Sequence, residues 1–148
     1  MTTTITGATG IDNIKAATGA VLQVVSALDT GQISSTSTSY ADANLAATIT
    51  PTSTSSKILV LVSQTGFTSA AMQPNFNIVR GATQIVETYF QTQHAYQDFG
   101  GNFLNYLDSP NTTSATTYKT QVKVNSGTMY LNWGATGQST ITLMEIAG

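Results

Sequence analysis

Apolar and polar positions along this chain switch over short stretches, and no segment carries the three-to-four-residue apolar period of a long helix. The longest uninterrupted apolar run, Ile58 to Val62, is rich in β-branched residues and too short to span a bilayer. Such a run predicts a central strand buried on both faces. Downstream, Phe76 to Val79 and Gln84 to Val86 flank Arg80-Gly81-Ala82-Thr83, where Gly81 supplies the positive φ of a tight turn. That combination predicts a hairpin. Between the central strand and the hairpin, Thr65 to Pro74 reads as loop.

The remaining pattern is also that of strands. Val21 to Val25 predicts a first strand, turned at Asp29-Thr30-Gly31, and Ile33 to Tyr40 predicts a polar strand at a sheet edge. Asp42 to Asn44 reads as a turn, Leu45 to Thr50 as a strand ended by Pro51, and Thr52 to Ser56 as a hydroxyl-rich loop. Thr88 to Phe99 predicts a long aromatic loop, broken at Gly100-Gly101 before a strand at Phe103 to Leu107. Asp108-Ser109-Pro110-Asn111 is a turn by its side-chain chemistry. In Thr117 to Val124, the residues Tyr118, Thr120, Val122 and Val124 alternate with Lys119, Gln121 and Lys123, the mark of a half-buried strand. Thr128 to Trp133 and Gln138 to Ile146 complete the series, on either side of a Gly134–Gly137 turn. In the last strand Ile141 and Leu143 share a face with Glu145, and Met144 and Ile146 share the other with Thr142. Apolar residues on both faces predict a central strand or one covered by a second subunit, which makes Ile141, Leu143, Met144 and Ile146 candidate interface residues. About nine or ten strands without a long helix predict an all-β, antiparallel β-sandwich.

Ahead of this domain, residues 1–18 are rich in Thr and Gly and poor in large apolar residues. They read as an extended arm, with at most one helical turn over Asp12 to Ala17. Ile5, Ile11 and Ile14 are its candidate anchoring residues. The division expected is therefore arm 1–18 and sandwich 19–148.

Composition sharpens the picture. Charged residues make up 8% of the chain, against about 25% in ordinary soluble domains. Instead the polar surface is built from hydroxyls, with 27 Thr and 14 Ser. Five scattered basic residues and a net charge of −2 exclude nucleic acid as an expected partner. No transmembrane segment and no signal-peptide pattern is found, and Ala20 to Val25 is too short for one. No membrane partner is expected.

With no cysteine and His94 as the single histidine, thiol nucleophiles and His-pair metal sites are excluded. His94 lacks the sequence context of an activated serine. Most of the seven carboxylates stand beside turn residues, where capping is their ordinary role. A hydrolase built on Asp98, Asp108 or Glu87 with His94 is the weakest of the available readings, so the expectation is a non-enzymatic protein without cofactor or metal. The aromatic-rich stretch Tyr89 to Tyr106 remains as the candidate contact surface, because exposed rings stack on sugars and dominate binding hot spots. Tyr89, Phe90, His94, Tyr96 and Trp133 are the candidate ligand or receptor contacts.

Five segments in order, Gly19-Ala-Val-Leu-Gln-Val-Val-Ser, Ile49-Thr-Pro-Thr-Ser-Thr-Ser-Ser-Lys-Ile-Leu-Val, Asn77-Ile-Val-Arg-Gly-Ala-Thr-Gln-Ile, Thr113-Ser-Ala-Thr-Thr-Tyr-Lys and Thr140-Ile-Thr-Leu-Met-Glu-Ile, resemble a small β domain of virion structural proteins of tailed bacteriophages, cyanophages in particular. The resemblance spans residues 19 to 148 and its motifs are structural. It implies a jelly-roll-like sandwich, usually a homotrimer, on the virion surface after assembly in the host cytoplasm. The implied partners are copies of itself, a tail protein or the major capsid protein, and a host cell-surface glycan. A short fibre or tail-tip module held by the arm is the leading expectation. The alternatives are a capsid decoration or cement protein, and a carbohydrate-binding module using the loop 89–106.

Overall fold

A computed structural model describes residues 16–148, with the backbone alone for residues 97–102. Its strands are β1 (Val21–Asp29), β2 (Ile33–Ser35), β3 (Ala41–Ile49), β4 (Lys57–Thr68), β5 (Asn75–Arg80), β6 (Thr83–Tyr89), β7 (Gln97–Asp108), β8 (Thr116–Lys123), β9 (Met129–Leu131) and β10 (Ser139–Ile146). Among the described residues there is no helix, and every strand pairing is antiparallel.

Two sheets face one another. In the first, β1, β10, β4 and β7 lie side by side, and short β9 and β2 extend it where β10 stops short of the end of β4. The second has the order β3-β8-β5-β6. Leaving aside the three-residue β2 and β9, the eight long strands pair first with eighth (β1–β10), second with seventh (β3–β8), third with sixth (β4–β7) and fourth with fifth (β5–β6). That is one long hairpin rolled into a sandwich, the jelly-roll arrangement. The hairpin tip is the turn expected from sequence: Gly81 has φ 59° between Arg80 and Thr83.

The core follows from the two-residue period. Ile58, Val60 and Val62 of β4 and Ile141 and Leu143 of β10 point inward from the first sheet. Leu45, Ile49, Phe76, Ile78, Tyr118 and Val122 meet them from the second. Ile141 and Leu143 are fully buried within the chain's own core, so these two of the four candidate interface residues are not available to another subunit. Met144 and Ile146 lie on the opposite, outer face. The run Ile58 to Val62 is central as expected but not buried on both faces, since Leu59 and Leu61 alternate outward.

Two carboxylates are locked into this interior. Asp108, at the end of β7, accepts hydrogen bonds from Arg80 Nη1 at 2.7 and 2.9 Å and from the Tyr118 hydroxyl at 2.7 Å. Arg80 and Tyr118 belong to the second sheet, so this clasp ties the two layers together. Burial, reinforced by the Asp108 carboxylate, holds the Tyr118 phenol far above its ordinary pKa. Glu145, facing inward on β10, is completely buried without a cation. Its carboxylate accepts from Gln23 Nε2 (2.6 Å) and from both the main-chain N–H and the hydroxyl of Thr52 (2.7 Å each). Burial by itself would raise the Glu145 pKa. The Ser56, Gln23 and Thr52 donors outweigh it and hold the group at about 2, although Ser56 Oγ falls short of a formed hydrogen bond.

Several boundaries differ from the sequence expectation. Asp42 to Asn44 is strand, not turn: Asn44 takes φ 58° inside β3, where the register to β8 shifts between Asp42 and Ala46, so its left-handed preference makes a bulge. Past Ser35 the expected polar strand dissolves into local bonds, Ser37 and Ser39 N–H donating to the Ser35 and Ser37 hydroxyls, which compete with strand pairing. Thr65 to Thr68 prolongs β4, and Gln97 to Phe99 with Gly100-Gly101 lies within β7, because pairing between these strands continues through a register shift. Strand β9 is shorter than expected and excludes Trp133. Ile5, Ile11 and Ile14, and most of the expected helical turn, lie outside the described residues.

Two outcomes test this interior. Asp108→Ala should lower unfolding free energy in urea by ~3 kcal/mol, since it strands Arg80 and Tyr118 together, whereas Tyr118→Phe should cost only ~1 kcal/mol. The Glu145 pKa is depressed from its ordinary 4.5, so its contribution of roughly 3 kcal/mol is complete above pH 4.5 and fades as pH falls towards about 2. Glu145→Gln should therefore be less stable at neutral pH, and its stability should depend less on pH between these limits, as read from urea midpoints.

Candidate aromatic binding site

On β4 the alternation that buries Thr68 turns Phe67 outward, and on β9 it buries Met129 and Leu131 and turns Tyr130 outward. The register places Phe67 directly opposite Tyr130. Their rings stack at 4.6 Å between centroids and 10° between planes. Trp133 packs edge-on against both, at 5.2 Å from Phe67 and 5.0 Å from Tyr130. Tyr96, from the β6–β7 connection, lies 6.5 Å from Phe67 at 29° and completes a four-ring cluster. Phe67 and Tyr130 are its half-buried base, while Tyr96 and Trp133 are 77% and 53% exposed.

The exposed rings are carried on constrained backbone. Tyr96 itself adopts φ 58°, and Asn132, the residue before Trp133, is also left-handed at φ 51°. A left-handed conformation in a bulky residue such as Tyr96 costs on the order of 1 kcal/mol and persists only where its surroundings impose it. For Asn132 those surroundings are visible. Its fully buried amide donates to Asp29 Oδ2 (2.8 Å) and the Gly31 carbonyl (3.1 Å) and accepts from the Ser139 hydroxyl (2.5 Å). Its main-chain N–H donates to the Thr65 carbonyl at 3.1 Å. One side chain thus joins the end of β1, the loop after it and the start of β10, and fixes where Trp133 emerges. Gly137 packs against the main chain of Asn132 and Trp133 so closely that a Cβ there would collide with both.

The five residues proposed as contacts separate. Tyr96 and Trp133 come together here. Tyr89 is exposed at the end of β6, which pairs with β5 in the other sheet, and the half-buried Phe90 stacks on Phe76 at 5.7 Å against the core. His94 is exposed in the β6–β7 loop. Sequence reasoning missed Phe67 and Tyr130. Their signal was the outward position of Tyr130 between Met129 and Leu131, but only the β4–β9 register brings the two rings together.

The four rings carry no charge, and the β4–β7 register sets Asp98, whose side chain lies outside the described residues, opposite Phe67. The rings offer aromatic faces and edges and two phenol hydroxyls, which suit a ligand with C–H faces and hydroxyls. Of the carboxylates named for hydrolysis, Asp108 is committed to the inter-sheet clasp and Glu87 to Asn75 and Gln84 at 3.0 and 3.1 Å, with Lys123 at 3.5 Å, while the Asp98 side chain lies outside the described residues. These partners lower the Glu87 pKa, together with the neighbouring Tyr40 hydroxyl as the largest contribution. Among the described residues no three His, Asp or Glu side chains cluster in a way that would hold a metal ion.

Neither a protein-family model nor a curated protein sequence matches the chain. Among solved structures it is similar to the VP2 subviral particle of infectious bursal disease virus, at 14% identity and a TM-score of 0.43, over 97% of this chain and 42% of that one. It is also similar to dimeric latent PorU from Porphyromonas gingivalis, at 11% identity and a TM-score of 0.41, over 90% of this chain and 14% of that one. The chain spans less than half the length of either.

Trp133 is the only tryptophan, so its emission reports this site alone. Gly137→Ala should shift that emission by displacing the Asn132–Trp133 segment, at a stability cost of ~1–3 kcal/mol. An unchanged spectrum would show that the close packing of Gly137 does not set the position of the ring.

Proposed function

We propose that this protein is a non-enzymatic module of a bacteriophage virion surface, of the short-fibre or tail-tip kind, attached through its N-terminal segment and contacting a host-surface glycan through the aromatic cluster. The observation that carries the reading is the placement of these two features at opposite ends of the first sheet. The described chain enters β1 beside the C-terminus, where Gly19 and Ala20 exchange main-chain hydrogen bonds with Ala147. Asn132, which positions Trp133, bonds instead to Asp29 and Ser139 at the far end of the β1–β10 pair. Eight or nine strand residues separate the ends, roughly 25–30 Å. A module tethered at its N-terminus presents the exposed rings at its free end.

The non-enzymatic part of the reading is supported by the carboxylates. All five with described side chains, Asp29, Asp42, Glu87, Asp108 and Glu145, accept structural hydrogen bonds. The virion part is supported by the resemblance of residues 19–148 to phage virion domains. A decoration role on the capsid is the alternative within the same class.

Glycan-array and host-cell binding tests the contact. Tyr96→Ala and Trp133→Ala should each weaken binding by about 30-fold, the effect of removing a hot-spot aromatic, while Tyr89→Ala should leave it unchanged. Binding unaffected by either ring substitution would reject this surface as the contact. Immunogold labelling confined to capsids, together with no glycan binding, would favour the decoration role.

A further inference from the structure

The two sheets differ in their outer faces. The outer face of the second carries Asp42, Glu87, Lys119 and Lys123, joined in a polar network that includes Lys119–Asp42 at 2.7 Å and Gln121–Asp42 at 2.9 Å. The outer face of the first sheet carries no charge over Val24–Leu28, Leu59–Ser63, Phe103–Leu107 and Thr140–Met144. Its registers set Val24 opposite Met144, Met144 opposite Leu59 and Leu59 opposite Leu107, an apolar row across four strands. Leu61, Phe103, Leu28 and Val21 flank that row. The exposed members of this face are 36% to 71% accessible, Phe103 the most.

We infer that this face is covered by the same face of a second copy of the chain, in a two-fold arrangement. Area is the first argument. The apolar side chains offer on the order of 600 Å². At the roughly 65% apolar content of homodimer interfaces, that corresponds to about 900 Å² per partner, enough for the roughly 800 Å² of a stable interface. Self-complementarity is the second. Apart from Lys57 at the start of β4, opposite Ile146, the described side chains of the face are uncharged, so its centre meets its own copy without opposing like charges. It also carries both a knob and a hole: Phe103 stands beside a shallow depression lined by Leu61, Ser63, Asn105, Thr140 and Thr142. A two-fold axis through the face seats each Phe103 against the other copy, the isologous geometry of a two-fold dimer. This inference does not depend on the glycan reading, because the aromatic cluster lies beyond the Ser139 end of β10 and outside the row.

The test is the solution mass of the full chain by sedimentation across the micromolar range. A mass near twice 15.5 kDa is expected. Val24→Lys and Leu107→Lys, both at exposed positions that the isolated fold tolerates, should each weaken association at least about tenfold, with circular dichroism unchanged. Thr48→Lys on the other sheet should not. Because the chain has no cysteine, Thr142→Cys at the centre of the face should give a covalent dimer with a short bismaleimide, and Thr48→Cys should not. A monomer throughout, a three-chain species, or a dimer indifferent to both lysine substitutions overturns the proposal, and glycan binding is read separately in each case.

Discussion

Main-chain pairing along both edges of β4 is the constraint on which the rest of this structure depends. One edge is taken by β10 and then β9, the other by β7. A strand held on both sides has no freedom of register, and the two-residue period then dictates every direction its side chains take. Ile58, Val60 and Val62 enter the core; Leu59, Leu61 and Phe67 leave it. The buried core, the apolar outer row and the base of the aromatic cluster are therefore three consequences of a single register. A one-residue slip would exchange the first for the others.

Burial of charged groups in this protein follows a consistent rule. With so few charges in the sequence, those taken inside are fully provided with donors: Asp108 by Arg80 and Tyr118, Glu145 by Gln23 and Thr52. Removing water from a carboxylate is expensive unless its lone pairs are satisfied, and here main-chain and hydroxyl donors do much of that work. Each bonded set also joins segments remote in sequence. Asn132 does the same with a neutral amide, and the outcome is a fixed position for an exposed ring. Specific interior bonds and specific surface geometry are in this case one arrangement.

How far the sequence revealed this varied with the physics of each element. The Gly81 turn was legible because only glycine takes that φ at no cost, and the inward set Tyr118, Thr120, Val122 and Val124 because alternation alone determines it. Asn44 misled because the same left-handed preference serves a turn or a bulge, and only the neighbouring strand decides which. The serines after Ser35 misled through their β-compatible composition, since local hydroxyl bonds prevailed over pairing. Ile141 and Leu143 stood among the candidate interface residues because two apolar faces look alike until a second sheet covers one of them. At the candidate site Tyr96 and Trp133 could be named from sequence. Phe67 and Tyr130 could not, since their meeting is a matter of cross-strand register.

The rolled hairpin also orders events in time. Its tip, β5–β6, closes through a two-residue turn, while its open end joins Val21 to Ile146. The entropy of loop closure rises with the length enclosed, so pairing propagates from the tip towards the termini and the β1–β10 contact closes last. During synthesis the first strand of the domain leaves the ribosome long before its neighbour exists. It must wait, unpaired and with Val25 and Ala27 uncovered, for nearly the whole chain to emerge.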